Sequence, residues 1–154
     1  MSRFDRFDQL TRGRALVAIY WTFFWLLNGL DKFFNYEYFF GVDRDKKFIE
    51  YFASLDLPSS LAGISLYTFG VIEITLGVLF LLIVTHGEKN PELNRLAFKG
   101  TMVVFILYSI GDILFGDRGE LREHGIYMIL TILSFQFFIF TAGEKAGDTE
   151  LNNV

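Results

Sequence analysis

Apolar residues in this chain gather into four long runs separated by charged stretches. They extend over about residues 15–34, 60–85, 91–116 and 125–142, each near the ~20 residues that a helix needs to cross a bilayer core. The boundaries carry helix signals. Ser59 and Ser60 follow Pro58 at the start of the second run, Asn90 caps the third with Pro91 at its first position, and Gly143 closes the fourth. The pattern predicts an all-α polytopic membrane protein: four transmembrane helices in an antiparallel bundle, forming one membrane domain over residues 1–154.

The first loop is long and patterned. Phe48, Ile49, Phe52 and Leu55 recur at helical spacing, while Asp45, Lys46, Lys47 and Glu50 fall elsewhere. This predicts a short interfacial amphipathic helix over about 44–57, lying on the membrane surface either as a plain linker or as a docking face. The aromatic cluster Phe33, Phe34, Tyr36, Tyr38, Phe39 and Phe40 before it suits headgroup depth. Arg3, Arg6, Arg12 and Arg14 precede the first run and no small-residue cleavage site follows it, so that run reads as a retained span and not a signal peptide. Residues 143–154 read as a polar tail.

Composition narrows the class. A hydrophobic content of 52%, 19 Phe and a mean hydropathy of +0.36 fit a chain used almost wholly by its spans, without room for a second, soluble domain. The absence of cysteine excludes disulfides, thiol relays and iron–sulfur ligation. A net charge of −4 points to neither nucleic acid nor a polybasic lipid-binding segment. Lys and Arg divide eight against six between the two sides, and the four N-terminal arginines weigh towards cytoplasmic N- and C-termini, in what reads as a bacterial inner membrane.

The candidate chemistry centres on Glu73, an acid near the middle of the second run. An ionisable group at mid-bilayer costs roughly 2.5–3.5 kcal/mol on insertion scales, so a chain that keeps one pairs it or uses it. Gly70 and Gly77 share its helical face, as does Gly63 along the same stripe, so a partner helix can approach there, within the bundle or from a second copy of the chain. By the rise of a helix, Glu73 lies roughly 18 Å from the outer face and Gln136 at about the same depth, within reach of a hydrogen bond. Trp21, Trp25, Asn28 and Lys32 form one stripe on the first span that turns the indoles towards Glu73. Asp112, with Ser109 and Tyr108 one turn earlier, lies near the level of Lys32, which predicts an ion pair between them, with Asp31 competing for the lysine. These residues outline a polar pocket opening outward and closing at Glu73. Equally, polar groups between membrane helices can serve only to hold a bundle together. His86 and His124 fall on opposite faces, about 30 Å apart, so they cannot share a haem, and neither has metal-ligand spacing. The residues call for no cofactor and no metal.

The segment Asn28-Gly29-Leu30-Asp31-Lys32-Phe33-Phe34 resembles the Gly-x-x-Lys-apolar motif of the DoxX-like membrane proteins, and Glu73 followed by Gly77 is similar to that family's second span. The resemblance covers about residues 14–142. The chain departs from the family in carrying Asn28 where a His or other polar residue commonly precedes the glycine, and in its long first loop. The resemblance implies a small four-helix membrane protein associated with redox enzymes, related to the small membrane subunits of thiosulfate:quinone oxidoreductase, with Gly29, Lys32 and Glu73 at motif positions.

Two functions of different class follow. One is an accessory subunit of a redox or respiratory membrane complex, in contact with lipid and with other membrane subunits. The other is a catalytic or transport role in which the pocket binds a quinol or small substrate and Glu73 exchanges its proton.

Overall fold

The computed structural model describes residues 13–34, 43–86 and 90–151, with side chains in the last helix as far as Ile139. Among these the chain is all-helical: α1 (Gly13–Phe34), α2 (Arg44–Ala53), α3 (Ser59–His86), α4 (Pro91–Phe115) and α5 (Arg118–Leu151). Tyr36, Tyr38, Phe39 and Phe40 lie outside the described residues.

The four long helices run up, down, up and down. Gly29 meets Ile74 and Gly77 meets Leu26, which makes α1 and α3 antiparallel; Phe80 lies on Phe98 and Glu73 on Tyr108, which does the same for α3 and α4; Phe98 with Phe138 and Phe105 with Tyr127 pair α4 with α5. Aromatic side chains fill the centre. Trp21, Trp25, Phe80, Phe98 and Phe105 are buried, with rings in edge-on and tilted contact at 5–6 Å, a spacing aromatic pairs favour. The outside is the reverse of a water-facing helix bundle: Phe23, Ile64, Val71, Ile113, Leu114 and Leu133 are each more than half exposed.

The closest packing is between α1 and α3, and glycine permits it. A Cβ on Gly29 would stand 2.9 Å from the Ile74 backbone nitrogen and 3.0 Å from the Gly70 carbonyl, while one on Gly77 would stand 3.0 Å from the Leu26 nitrogen. These are backbone contacts that cannot yield by a side-chain rotation. Two glycines of the stripe, Gly70 and Gly77, are thus used inside the bundle, while Gly63 has open space around it.

Gly116 ends α4 in the left-handed region at φ 74°, where a Cβ is disfavoured. Its neighbour Asp117 then accepts a hydrogen bond from the Glu120 N–H at 3.0 Å and starts α5.

Three sequence expectations need correction. Among the described residues two helices, α3 and α4, are long and apolar enough to cross a membrane, not four. In α1 the run is diluted by Asn28, Asp31, Lys32 and its Tyr and Trp residues; α5 begins well before residue 125, on the polar stretch Arg118–His124, and carries its helix through Gly143 to Leu151. Each of Gly143 and Gly147 costs the helix only about 1 kcal/mol, and no proline lies between them and Leu151. Finally, α2 ends at Ala53 and not near Leu57, with residues 54–56 in a turn, and it packs on α3 and over one end of the bundle.

Replacing Gly29 with Ala forces α1 and α3 apart and lowers thermal stability of the purified protein by about 1–3 kcal/mol, the usual scale of overpacking. Gly63→Ala leaves the unfolding midpoint unchanged or slightly raised, and equal losses from both would contradict the close crossing.

Candidate functional site

Where α1 ends, α3 begins, α4 ends and α5 begins, the helices enclose a cavity of about 450 Å³ roofed by α2. Its floor is a buried polar cluster. Glu73, 1% exposed, accepts a hydrogen bond from the Tyr108 hydroxyl on one carboxylate oxygen and an ion pair from Lys32 Nζ at 2.5 Å on the other. Lys32 reaches down from the last turn of α1, where Gly70 leaves room for the Phe33 ring and the Lys32 Cβ, and also donates to the Asn28 carbonyl at 3.4 Å. The Lys32 ammonium lies 5.9 Å from the Tyr108 ring centroid. Charge is balanced here, so the acid and the lysine lower each other's cost of burial.

One wall carries a second pair. His124 Nδ1 lies 2.6 Å from Asp112 Oδ2, and the imidazole packs against the Tyr108 ring with centroids 4.9 Å apart. Phe24, Trp25, Phe69, Phe105 and Tyr127 supply the apolar and aromatic remainder. Gly111 also lines the cavity, and a Cβ there would meet only the Phe115 ring at 3.7 Å.

The roof is held by a polar latch. Asp43 caps α2 by accepting from the Lys46 N–H. Arg44 Nε then pairs with buried Asp31 at 3.1 Å, Lys47 pairs with Glu120 at 2.5 Å and Asp117 at 3.1 Å, and the Tyr51 hydroxyl donates to Asp117. Tyr51 stacks on Phe115 at 4.7 Å. Each group's acidity follows from these contacts. Burial opposes the Lys47 charge, but Glu120, Tyr51 and Asp117 outweigh it and hold its pKa above the usual lysine range. Burial, then the bond to Asp117, push the Tyr51 phenol up to about 12. The Tyr51 hydroxyl and the Glu120 N–H hold Asp117 well below the usual carboxylate range. Glu120 is raised by burial but lowered more by Lys47 and Arg44, and ends below its ordinary value.

The sequence-predicted residues are therefore only partly brought together. Trp25, Asn28, Lys32, Glu73 and Asp112 line the cavity. Lys32 pairs with Glu73 and not with Asp112, because the close α1–α3 crossing brings its ammonium to the carboxylate, while Asp112 takes His124 and Asp31 takes Arg44. The indoles do not aim at Glu73: Trp21 donates to Ser134 at 3.2 Å and Trp25 to Thr101 at 3.1 Å, tying α1 to α5 and α4. Gln136 is exposed and does not meet Glu73, since equal depth on two helices does not give them facing sides. Ser109 is half-buried and off the cavity wall. His86 is exposed at the far end of α3.

Sequence reasoning set His124 aside and gave Tyr108 no part of its own. A signal was present: Thr101, Phe105, Tyr108 and Asp112 recur at i, i+4, i+7 and i+11, one face of α4, and Glu120 and His124 are one turn apart on α5. Among the described residues no group of three or more His, Asp and Glu is placed to hold a metal ion. Comparison with protein-family models, with curated proteins and with solved structures gives no match to this chain.

Lys32→Met leaves Glu73 buried without its counter-charge and destabilises the protein by about 3–5 kcal/mol, whereas Lys32→Met combined with Glu73→Gln recovers most of that loss. Chemical denaturation of the three proteins checks this, and additive losses would dismiss the ion pair. For the roof, depressed Asp117 and Glu120 contribute above their unfolded values near 3.8 and 4.5 and lose that contribution as pH falls through their lower folded values. Raised Lys47 and Tyr51 contribute fully below their unfolded values of 10.5 and 10.0, and Tyr51 loses its part as pH rises through about 12. A fluorophore on Glu50→Cys in α2 therefore reports a firmly held roof between about pH 5 and 10, with a progressive loosening that sets in below about 4 and above about 10 and grows towards the folded values. A flat response from pH 3 to 12 would count against the latch.

Proposed function

We propose that this chain is a four-helix integral membrane protein that binds a small, neutral, hydrogen-bonding molecule in the cavity floored by Lys32, Glu73 and Tyr108. Support for the membrane setting comes from α3 and α4, each of spanning length and composition, and from the apolar exterior shared by α1 and α5. On this reading α1 and α5 complete the four crossings, and both termini are cytoplasmic.

The cavity carries the functional reading. At about 450 Å³ it lies within the ~300–1,000 Å³ range of ligand pockets, and aromatic walls around a few converging polar groups are their usual lining. A bundle that needed its polar residues only for cohesion would close over them. Compensated charge on the floor favours an uncharged guest: an added anion would compete with Glu73, and an added cation with Lys32. The Lys32 ammonium can donate to a carbonyl or hydroxyl oxygen, while Glu73 can accept a hydrogen bond or a proton. A quinone or quinol ring meets these demands, with Tyr108 and His124 beside it.

The resemblance to the DoxX-like proteins supports placing this pocket in an accessory subunit of a redox membrane complex. The chains that copurify under mild extraction test that placement.

Binding of a decyl-substituted benzoquinone, read by quenching of tryptophan fluorescence, to which Trp25 on the cavity wall contributes, is saturable in the native protein. It weakens at least about tenfold, some 1.4 kcal/mol, in Gly111→Leu, which fills the cavity without touching the polar floor. Equal quenching of the two proteins would reject the pocket as the binding site.

A further inference from the structure

The cavity is bounded by two unlike surfaces. Over its polar end lies α2, whose Arg44, Lys47 and Tyr51 are all engaged with Asp31, Asp117 and Glu120, the ion-paired side chains being only about a quarter exposed. On its side, between α3 and α4, the wall includes Leu107, Ile110 and Leu114, which are 44%, 50% and 60% exposed on the apolar exterior. Residues that both line a cavity and stand open on the outside mark where the cavity reaches the surface; exposed Glu123 of α5 marks a charged edge beside the roof, and the three apolar residues of α4 mark a second, apolar opening. Here that surface is hydrocarbon-facing, and α3 and α4 pack less extensively on each other than α1 on α3 or α4 on α5. Ser65 and Phe69 of α3 line the cavity as well.

We infer that the cavity is loaded from within the bilayer, through a lateral portal between Phe69 of α3 and Ile110 of α4, and that its ligand is a membrane-dissolved neutral amphiphile whose polar head rests on Lys32 and Tyr108 while its hydrocarbon tail leaves through the portal. This rests on the ligand-binding reading above. A guest arriving through Leu107, Ile110 and Leu114 must be soluble in acyl chains, and a molecule confined to water meets the latched roof first. A cavity of this size holds a ring and a short stem, so a longer tail has to remain outside, and the apolar gap is the exit that does not expose it to water. The ion-paired roof then serves to keep water and ions off the Lys32–Glu73 pair, which a low local dielectric strengthens.

The chain contains no cysteine, so single reporters can be placed cleanly. Gly111→Cys puts a thiol on the cavity wall, where a Cβ has room. In the full chain reconstituted in lipid nanodiscs, two maleimides are compared, one bearing a dodecyl chain and one a sulfonate. The first is normalised to Ile113→Cys on the apolar exterior and the second to Glu50→Cys on the exposed side of α2. Lateral loading predicts that the dodecyl reagent modifies Gly111→Cys at a rate close to its reference, and that the sulfonated reagent is slower than its own by at least about tenfold, as expected for a site screened from water by the ion-paired roof and the Glu123 carboxylate at its edge, which repels a sulfonate. Adding Lys47→Ala to loosen the roof then speeds the sulfonated reagent and leaves the dodecyl reagent unchanged. Ser65→Cys, across the gap, provides a second reporter if Gly111→Cys fails to fold. A sulfonated reagent that labels as fast as at Glu50→Cys overturns the inference. The binding reading fails separately, through loss of saturable quenching by the decyl benzoquinone, since thiol labelling requires no ligand.

Discussion

The buried contact between Lys32 and Glu73 is the constraint on which the site depends. Each charge would be costly alone in an apolar bundle, and each is made tolerable by the other. The pairing requires α1 and α3 to approach more closely than ordinary side chains permit. Gly29, Gly70 and Gly77 supply that approach, and Gly70 in particular makes room for Phe33 and for the base of the Lys32 side chain. A motif of small residues and a motif of charges are thus one device: the glycines set the helix separation, and the separation sets the ion pair.

From that pair the polar groups extend outward in order. Tyr108 satisfies the second oxygen of Glu73, and its ring lies on His124, which in turn holds Asp112. Beyond them Glu120 and Asp117 take the cations of α2. Nearly every buried polar side chain along this line has a partner, the condition under which a low-dielectric interior strengthens a network instead of penalising it. The exception beside it is one oxygen of Asp31. The cavity lies beside this network and not inside it, so a guest adds contacts without having to break the ion pair.

Much of this was legible in the chain. The positions of α1, α3 and α4 follow from their apolar runs and caps, α5 extends at both ends beyond its run, and Glu73 identified itself because a carboxylate in such a run demands explanation. Gly70 and Gly77 on its face announced a close neighbour. The amphipathic stretch after Arg44 also declared a helix. Its role was not legible, since the spacing that suits a membrane surface equally suits a lid over a pocket: Phe48 and Phe52 line the cavity, while Ile49 and Leu55 stay exposed.

The amino-acid order by itself determined where the apolar helical runs lie and which few polar groups must be buried, because periodicity and hydropathy are properties of local sequence. Partner choice was decided only by the tertiary structure. Asp112 could meet Lys32 or His124, Asp31 could meet Lys32 or Arg44, and Gln136 shares the depth of Glu73 yet points elsewhere. Depth along a helix follows from counting residues, but the rotation of one helix about its axis relative to another comes from how whole faces pack. That rotation placed Tyr108 on Glu73, His124 on Asp112 and the two indoles on Ser134 and Thr101.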